Sequence, residues 1–563
     1  MKMIKLKDYG ITPGNSKNLV KTLNDLLAAL QGETEIGLVF AKGIYHFYPD
    51  FAPEKMMYIS NHDEDTVKKA AFLLEHRQNL TIDGGGSNFI FHTEILPFYV
   101  AQCKNITLQN FTVDYARPTY SQGIIRAVTP QAITIEIDPE KYPWQVENNT
   151  LWFTGEGFRQ TMNLWLEMDA ARHAPAYQTH DFWLDGFYGV QQPTAEKSKD
   201  NTVCLHLSAK ETFPPSCKVG NLLVLRHHAR THPGFYLLDS VAVTAQNIDV
   251  YNTEGIGFVA ERTKDIFLRN FNVKINPHNP RIFTAAADAT HFVNCYGKIE
   301  LDHCLFENQM DDAVNIHGIY YKLKAAPVGD TLHVLLDHPM QKGVPIGHRG
   351  DVIAVVDCAT MQQKQTFVLQ ECTMCSPDEF MLKANQALPT GLGPRCVLEN
   401  LTAKPSALIH DCIFRNNRAR GILLTCKTAL VENCVFQTAG AALYMEGEAQ
   451  YWFESGCTEN IALKNNRFIN CSYVQDWGFA PLHIKPGVQR PTKGRYYHNK
   501  VEVENNTFTC FDGRLVYARH VGELFLQNNR LEKTNAFPPI AGADIDLENF
   551  GRFESTVYLK EKA

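Results

Sequence analysis

The chain has 563 residues, with 54 basic and 61 acidic side chains for a net charge of −7, and 11% aromatic residues. That length exceeds what one compact core usually spans, so the chain either divides into domains or grows along one axis. The mild charge, without a basic block or basic–aromatic interleaving, argues against a nucleic-acid partner, and no run of about 18 apolar residues is present to cross a membrane as a helix.

The cysteines number 15, an odd count, and Cys304, Cys412 and Cys434 sit inside strand-like runs. They read as small buried hydrophobes of a reduced, cytoplasmic-type protein. Cys372 and Cys375 form a C-x-x-C, but no second pair or His cluster follows at zinc spacing, so no metal is expected there. The segment Met1–Asp8 has charges but no apolar core of a signal peptide. The chain as written is expected in the cytoplasm, and outside it if a leader has been removed.

In chain order, the first predicted element is a cap. Leu19, Val20, Leu23, Leu26, Leu27 and Leu30 fall on one helical face, and Gly32 follows as a stop. Residues 37–45 then read as a first strand-bearing coil. Short alternating segments recur at 79–82, 105–108, 247–250, 265–268, 298–301, 407–409, 429–431, 460–463 and 500–503. A second signature follows several of them: His303-Cys304-Leu305-Phe306, Asp411-Cys412-Ile413-Phe414 and Asn433-Cys434-Val435-Phe436. Looser copies end at Phe468 and Phe508. Asp83-Gly84-Gly85-Gly86-Ser87 lacks the Lys-Ser/Thr of a phosphate loop and reads as a corner.

Period-two patterning punctuated by Asn and Gly predicts strands rather than helices. Repeats of roughly 18 to 31 residues predict stacked coils, none of which buries its own apolar face. Asn suits corners that need left-handed backbone. The fold class expected is all-β, a right-handed parallel β-helix. Leucine-rich repeats would show an L-x-x-L-x-L frame, and a propeller a period of about 40 to 45 residues.

Two stretches interrupt the repeat. Residues 119–230 hold alternating strands and Trp144, Trp152, Trp165 and Trp183, and residues 319–402 hold a second set of strands. Both are expected to be inserted antiparallel β-barrels or sandwiches that could wall a pocket. The chain then divides into a cap and first coils at 1–118, an insertion at 119–230, coils at 231–318, an insertion at 319–402 and C-terminal coils at 403–563.

The candidate chemistry centres on Asp288, Asp311 and Asp312. Asp311 follows Asp288 by 23 residues, about one coil, which places the three acids roughly 5 Å apart by strand spacing. Crowded carboxyls raise one another's pKa, so one can hold a proton while another is ionised. Glycosidic-bond cleavage needs that division of labour, and spacing alone leaves its stereochemistry open. Substrate contacts are expected from Glu254, Arg262 and His317, and from Tyr444, Glu446 and Trp452 with Glu448 and Glu454 beside them. An aromatic ring next to a carboxylate grips a sugar by its C–H face and its hydroxyls. Each of these residues also has a plain structural reading, as a loop, core or satisfied polar residue, and so does Arg281. No Lys or Arg adjoins the acids in sequence, which disfavours a polysaccharide lyase. No G-x-S-x-G, H-E-x-x-H or dinucleotide fingerprint is present.

The acid arrangement resembles that of polygalacturonases. The chain as a whole, from about residue 5 to 530, resembles glycoside hydrolase family 110 more closely. The resemblance lies in Ile82-Asp83-Gly84, Phe89–His92, Pro97-Phe98, Asn110–Asp114, Gln309–His317, Arg420-Gly421-Ile422-Leu423, Glu446-Gly447 and Trp452–Gly456. It implies a β-helix with inserted barrels and catalytic acids at Asp288, Asp311 and Asp312. The implied activity is an exo-acting, inverting α-1,3-galactosidase without a cofactor. The implied partner is an oligosaccharide ending in α-galactose, such as blood group B-type or linear Galα1-3Gal ends. Another β-helix hydrolase, a lyase and a non-catalytic glycan-binding β-helix are the rivals, and homo-oligomerisation stays open.

Overall fold

The computed structural model describes residues 1–540 except 15, 64–65, 185–188, 200, 215–216, 228–229 and 280, together with the backbone of Asp546–Glu548 and Arg552–Lys560. Two long sheets, of 19 and 13 strands, run the length of the molecule. The larger carries the alternating segments found in the sequence, among them Val241–Val250, Lys264–Val273, Tyr296–Asp302, Ser406–His410 and Thr428–Glu432, paired in parallel. The smaller stacks Phe235–Leu238, Phe258–Glu261, Thr290–Val293, Val314–Ile319, Ile422–Leu424, Leu443–Met445 and Leu482–Ile484, again in parallel. Each coil gives one segment to the smaller sheet and one long or two short segments to the larger, as Ser406–His410 and Ile413–Arg415 do, which makes a parallel β-helix, right-handed as parallel crossovers are.

The recurrent Cys-x-Phe signature is an interior column. Phe306, Phe414, Phe436, Phe468 and Phe508 stack with successive ring centroids 5.8, 4.9, 5.1 and 4.7 Å apart. Two residues before each phenylalanine, the chain turns inside the core, and its backbone N–H needs an acceptor where water is excluded. A side chain of the next coil supplies it. The Cys304 N–H donates to Cys412 Sγ (3.4 Å), and the Cys434 N–H to Asn466 Oδ1 (2.9 Å). The Asn466 N–H donates to Asn506 Oδ1 (2.8 Å), and the Asn506 N–H to Asn529 Oδ1 (3.0 Å). At the preceding corner, Asn247, Asn433, Asn465 and Asn505 have φ between 53° and 58°, and Asn79 and Asn105 take 52° and 56° at the corner that opens the larger-sheet strands, the left-handed geometry asparagine tolerates. The glycine run is a bulge inside the strand Gln78–Phe91, where the register slips between Asp83 and Ser87. A Cβ at Gly84 would sit 2.5 Å from Phe111 Cβ.

The helix Leu19–Ala29 buries Leu19, Val20, Leu23, Leu26 and Leu27 in the same core as the first coils. In the first insertion, an eight-stranded antiparallel sheet and a three-stranded sheet (Trp144–Glu147, Thr150–Gly155, Phe158–Thr161) enclose a common core with Ile133, Phe153, Trp165 and Val203. The second insertion is a closed antiparallel barrel of six strands, from Tyr321–Leu323 to Cys396–Asn400. The first leaves after the larger-sheet strand Lys104–Tyr115 and rejoins before Phe235–Leu238 of the smaller sheet, and the second leaves after Val314–Ile319 of the smaller sheet and rejoins before Ser406–His410 of the larger. All fifteen cysteines are free. Among the described residues no helix is long and apolar enough to cross a membrane.

Candidate active site

Thr290 pairs with Val314, and Val314 with Ile422. Two residues ahead of each strand stand Asp288, Asp312 and Arg420, so equivalent positions on three consecutive coils carry acid, acid and arginine. The turns are pinned by the backbone: the Ala289 N–H donates to the Asp312 carbonyl (2.9 Å), and the Ala313 N–H to the Arg420 carbonyl (3.0 Å). Carboxylate oxygens of Asp288, Asp311 and Asp312 lie within 4.8 Å of one another. The three residues are only 3%, 8% and 2% exposed.

Arginines from distant parts of the chain surround them. Asp311 is ion-paired through Oδ2 with Arg230 and through Oδ1 with Arg418 (2.8 Å). Asp312 Oδ1 accepts from the Arg420 backbone N–H (2.8 Å) and Nε (2.9 Å). Arg418 also holds Asp181 and lies over Trp477, while Arg420 lies over Tyr444. Burial pushes Asp311 up, but Arg418, Arg230 and Arg420 outweigh it and hold this carboxyl below its usual range. Burial pushes Asp288 up to about 7, helped by the Asp311 charge and opposed by Arg230 and Arg420. Burial also takes Asp312 up to about 7, opposed by Arg420 and reinforced by Asp311 and Asp288. The cluster is therefore one charged carboxylate beside two carboxyls that titrate together near neutrality. Its oxygens are close enough to ligate a cation, yet three guanidiniums balance the three carboxylates even when all are ionised. The site is thus already compensated without a metal.

Behind Asp288, hydrogen-bond roles are fixed in series. His317 Nδ1 lies 2.8 Å from the Gly318 carbonyl, which can only accept, so Nδ1 carries a proton. With a neutral ring, His317 Nε2 is bare and accepts from His291 Nε2–H at 2.8 Å. His291 Nδ1 is then bare as well, and it lies 2.6 Å from Asp288 Oδ2, which must supply the proton. Burial depresses the pKa of both imidazoles, which favours this neutral chain. The Asn61 amide reaches the same His291 nitrogen at 3.1 Å, and its Oδ1 finds no partner among the described residues. Turned over, it accepts from Nε2–H and fits the same assignment.

The acids form the floor of a cavity of about 290 Å³, walled by Glu446, Glu454 and Trp452 from later coils, by Tyr120 and Trp183 from the first insertion and by Met340 from the second. Burial takes Glu446 up to about 7 and Glu454 up to about 8, so near neutral pH Glu454 presents mostly a neutral carboxyl and Glu446 is divided between its two forms. That set of neutral acids, charged acid, arginines and indoles suits an uncharged polyol with apolar C–H faces.

Of the residues singled out from sequence, Asp288, Asp311, Asp312, Glu446 and Trp452 line this cavity. Tyr444 sits beneath Arg420, and His317 acts on Asp288 through His291. Two expectations are corrected. Glu254 is buried against His232 (3.0 Å) and Thr231 (3.3 Å), away from the cavity lining. Arg262 lies at the far end of the strand Phe258–Glu261, where Asp239 takes it in two hydrogen bonds of 2.9 and 3.0 Å. Arg281, an ion pair with Asp114, is equally structural. No Lys or Arg adjoins the acids in sequence, but in the fold Arg230, Arg418 and Arg420 converge on them. Their guanidiniums stay protonated and cannot abstract a proton. Sequence reasoning gave no role to Arg420, which it named only within the motif Arg420–Leu423, and missed Arg230, Arg418, Asp181 and Trp477. Arg420 alone had a signal, its place two residues ahead of a strand.

Two family models match the insertions: GLAA-B beta-barrel domain I over residues 121–223 and GLAA-B beta-barrel domain II over residues 331–398. Alpha-1,3-galactosidase B of Bacteroides thetaiotaomicron is 31% identical over 541 residues, covering 96% of this chain and 87% of that protein. Alpha-1,3-galactosidase A of Shewanella woodyi is 31% identical over 560 residues, covering 98% and 90%. Among solved structures, a hyperthermoactive exopolygalacturonase from Thermotoga maritima aligns over 99% of this chain and 91% of its own, with a TM-score of 0.43 and 12% identity. On the strength of the full-length relatives, the chain belongs to the α-1,3-galactosidase family, glycoside hydrolase family 110.

Proposed function

We propose that the protein is an exo-acting α-1,3-galactosidase. It would release terminal α-linked galactose, with inversion, from oligosaccharides such as blood group B-type or linear Galα1-3Gal ends. The observation that carries this reading is the three-carboxyl cluster at the floor of a cavity of about 290 Å³. Small-molecule sites run from roughly 300 Å³ upward, so this cavity stands at the small end, on the scale of one sugar ring. A terminal galactose at the floor puts its glycosidic bond among the acids and leaves the rest of the glycan pointing outward.

In this mechanism the Asp288–Asp312 pair supplies the proton to the glycosidic oxygen as its bond to C1 breaks. Ionised Asp311 orients the water that attacks C1 and takes its proton. Glu446 and the neutral Glu454 hold hydroxyls, and Trp452 covers a sugar face.

The compactness of the cluster, within 4.8 Å, favours a second reading. Inverting enzymes commonly keep carboxyls about 6.5–9.5 Å apart and retaining ones about 5 Å. Retention would make Asp311 the nucleophile. Arg230 and Arg418 hold one of its oxygens each, and the lone pair left on either can meet C1 or a water, so the stereochemistry is read from the product. Proton NMR of the first-formed sugar decides between them: β-galactose supports inversion, and α-galactose overturns it. Failure to release galactose from linear and branched α-1,3-galactosides alike would overturn the activity itself.

A further inference from the structure

The loop that closes one side of the cavity, residues 446–454, is built around a single carboxylate. Glu448 turns inward, 8% exposed, and accepts from four successive backbone N–H groups. They are Gln450 (2.6 Å), Tyr451 (2.8 Å), Trp452, and Phe453 (2.8 Å). The loop's far end is tied down by antiparallel pairing of Glu454 with Ile319. The second insertion buttresses it: Gln341 Nε2 donates to the Trp452 carbonyl (2.6 Å), and the His338 ring lies against the indole at 4.5 Å. So much order is spent on presenting two large side chains to solvent. Tyr451 is 55% and Trp452 38% exposed, their rings at 87° with centroids 5.3 Å apart. A core-packing role does not account for that exposure, and a rigid aromatic corner loses little entropy on binding.

Resting on the galactosidase reading above, we propose that the Tyr451–Trp452 corner, mounted on Glu448 and backed by His338, is an outer sugar-binding subsite. It takes the second or third ring on the leaving-group side of the glycan. Three observations support it. Trp452 belongs at once to the cavity wall and to the corner, so the surface is continuous with the site. The cavity holds about one ring, so the remaining rings lie outside it. The acids are buried while the corner is exposed, so a chain leaving the acids passes Trp452 and then reaches Tyr451. The occupant is an uncharged pyranose whose axial C–H groups meet a ring face.

The experiment compares wild type, Tyr451→Ala and Glu448→Gln on p-nitrophenyl α-galactoside and on a linear tetrasaccharide ending in Galα1-3Gal. Tyr451→Ala is expected to raise KM for the tetrasaccharide roughly 2–10-fold, with kcat unchanged and with the kinetics of the short substrate unaltered, while Glu448→Gln, which also loosens Trp452, should raise KM for both substrates and more for the tetrasaccharide. Calorimetric titration of the tetrasaccharide into Asp312→Asn protein, with and without Tyr451→Ala, reads the same contact without turnover and should show the same loss of affinity. Equal effects on both substrates, or none on either, overturn the subsite. So does a Tyr451→Ala change confined to the oligomeric state in solution, which would make the corner an interface between copies. Loss of all turnover in wild type, with tetrasaccharide binding still weakened by Tyr451→Ala, would reject the activity and keep the subsite.

Discussion

At the residue scale, the acids are tuned by neighbours that pull in opposite directions, and the pH profile should show both. Asp288 faces Asp311, Asp312, Arg230, Arg420, His291 and Glu454. If the Asp288–Asp312 pair gives the proton, kcat/KM falls on the alkaline side with an apparent pKa near the value of about 7 these groups take. Arg420 lowers both carboxyls, so Arg420→Gln should move that alkaline limb to higher pH. His317→Ala should move it the other way. Without the bare Nε2 as acceptor, His291 can shift its proton to Nδ1 and donate to an ionised Asp288, stabilising the charge. A merely structural role for either residue would lower the rate without moving the limb, and rate measurements from pH 4 to 9 separate the two.

At the element scale, much of the solenoid was legible because its rules are local. Period-two segments and αL asparagines read directly as strands and corners, and Cys-x-Phe read as a repeat because one column of phenylalanines must recur once per coil. The spacing of Asp288 and Asp311 showed them one coil apart. The arginines were not legible for the complementary reason. Arg420 follows Asp312 by 108 residues although it sits on the next coil, because a barrel intervenes. Arg230 and Arg418 lie 81 and 107 residues from Asp311. Glu254 and Arg262 misled because position within a coil decides which way a side chain points, and both are taken by partners away from the cavity. The interior columns make a stability prediction. Phe468→Ala should cost about 3–5 kcal/mol by denaturant unfolding. Asn506→Ala, which strips the Asn466 N–H of its acceptor, should cost about 1–3 kcal/mol. Both lie away from the acids, so the folded protein should keep its kcat.

At the scale of the whole molecule, the site opposes the stability of the scaffold that carries it. Glu454 is held up to about 8, and Asp288, Asp312 and Glu446 to about 7. A carboxyl whose folded pKa is raised gives its full stability below the unfolded value, near 4, and loses it as pH rises through the folded value. The protein should therefore lose stability between about pH 4 and pH 8 through these four groups. Glu454→Gln, which mimics the neutral acid, should melt at the same temperature as wild type near pH 4 and above it at pH 8. A melting difference independent of pH would show that Glu454 is not held protonated.

The central claim is that Asp288, Asp311 and Asp312 act as one unit on a terminal α-1,3-linked galactose. The most direct measurement is galactose release from a Galα1-3Gal-terminated oligosaccharide by wild type and by Asp288→Asn, Asp311→Asn and Asp312→Asn, each shown to be folded. Wild type should turn over, and each variant should lose about 10²–10⁴-fold in kcat/KM. Turnover close to that of wild type in all three variants would contradict the account.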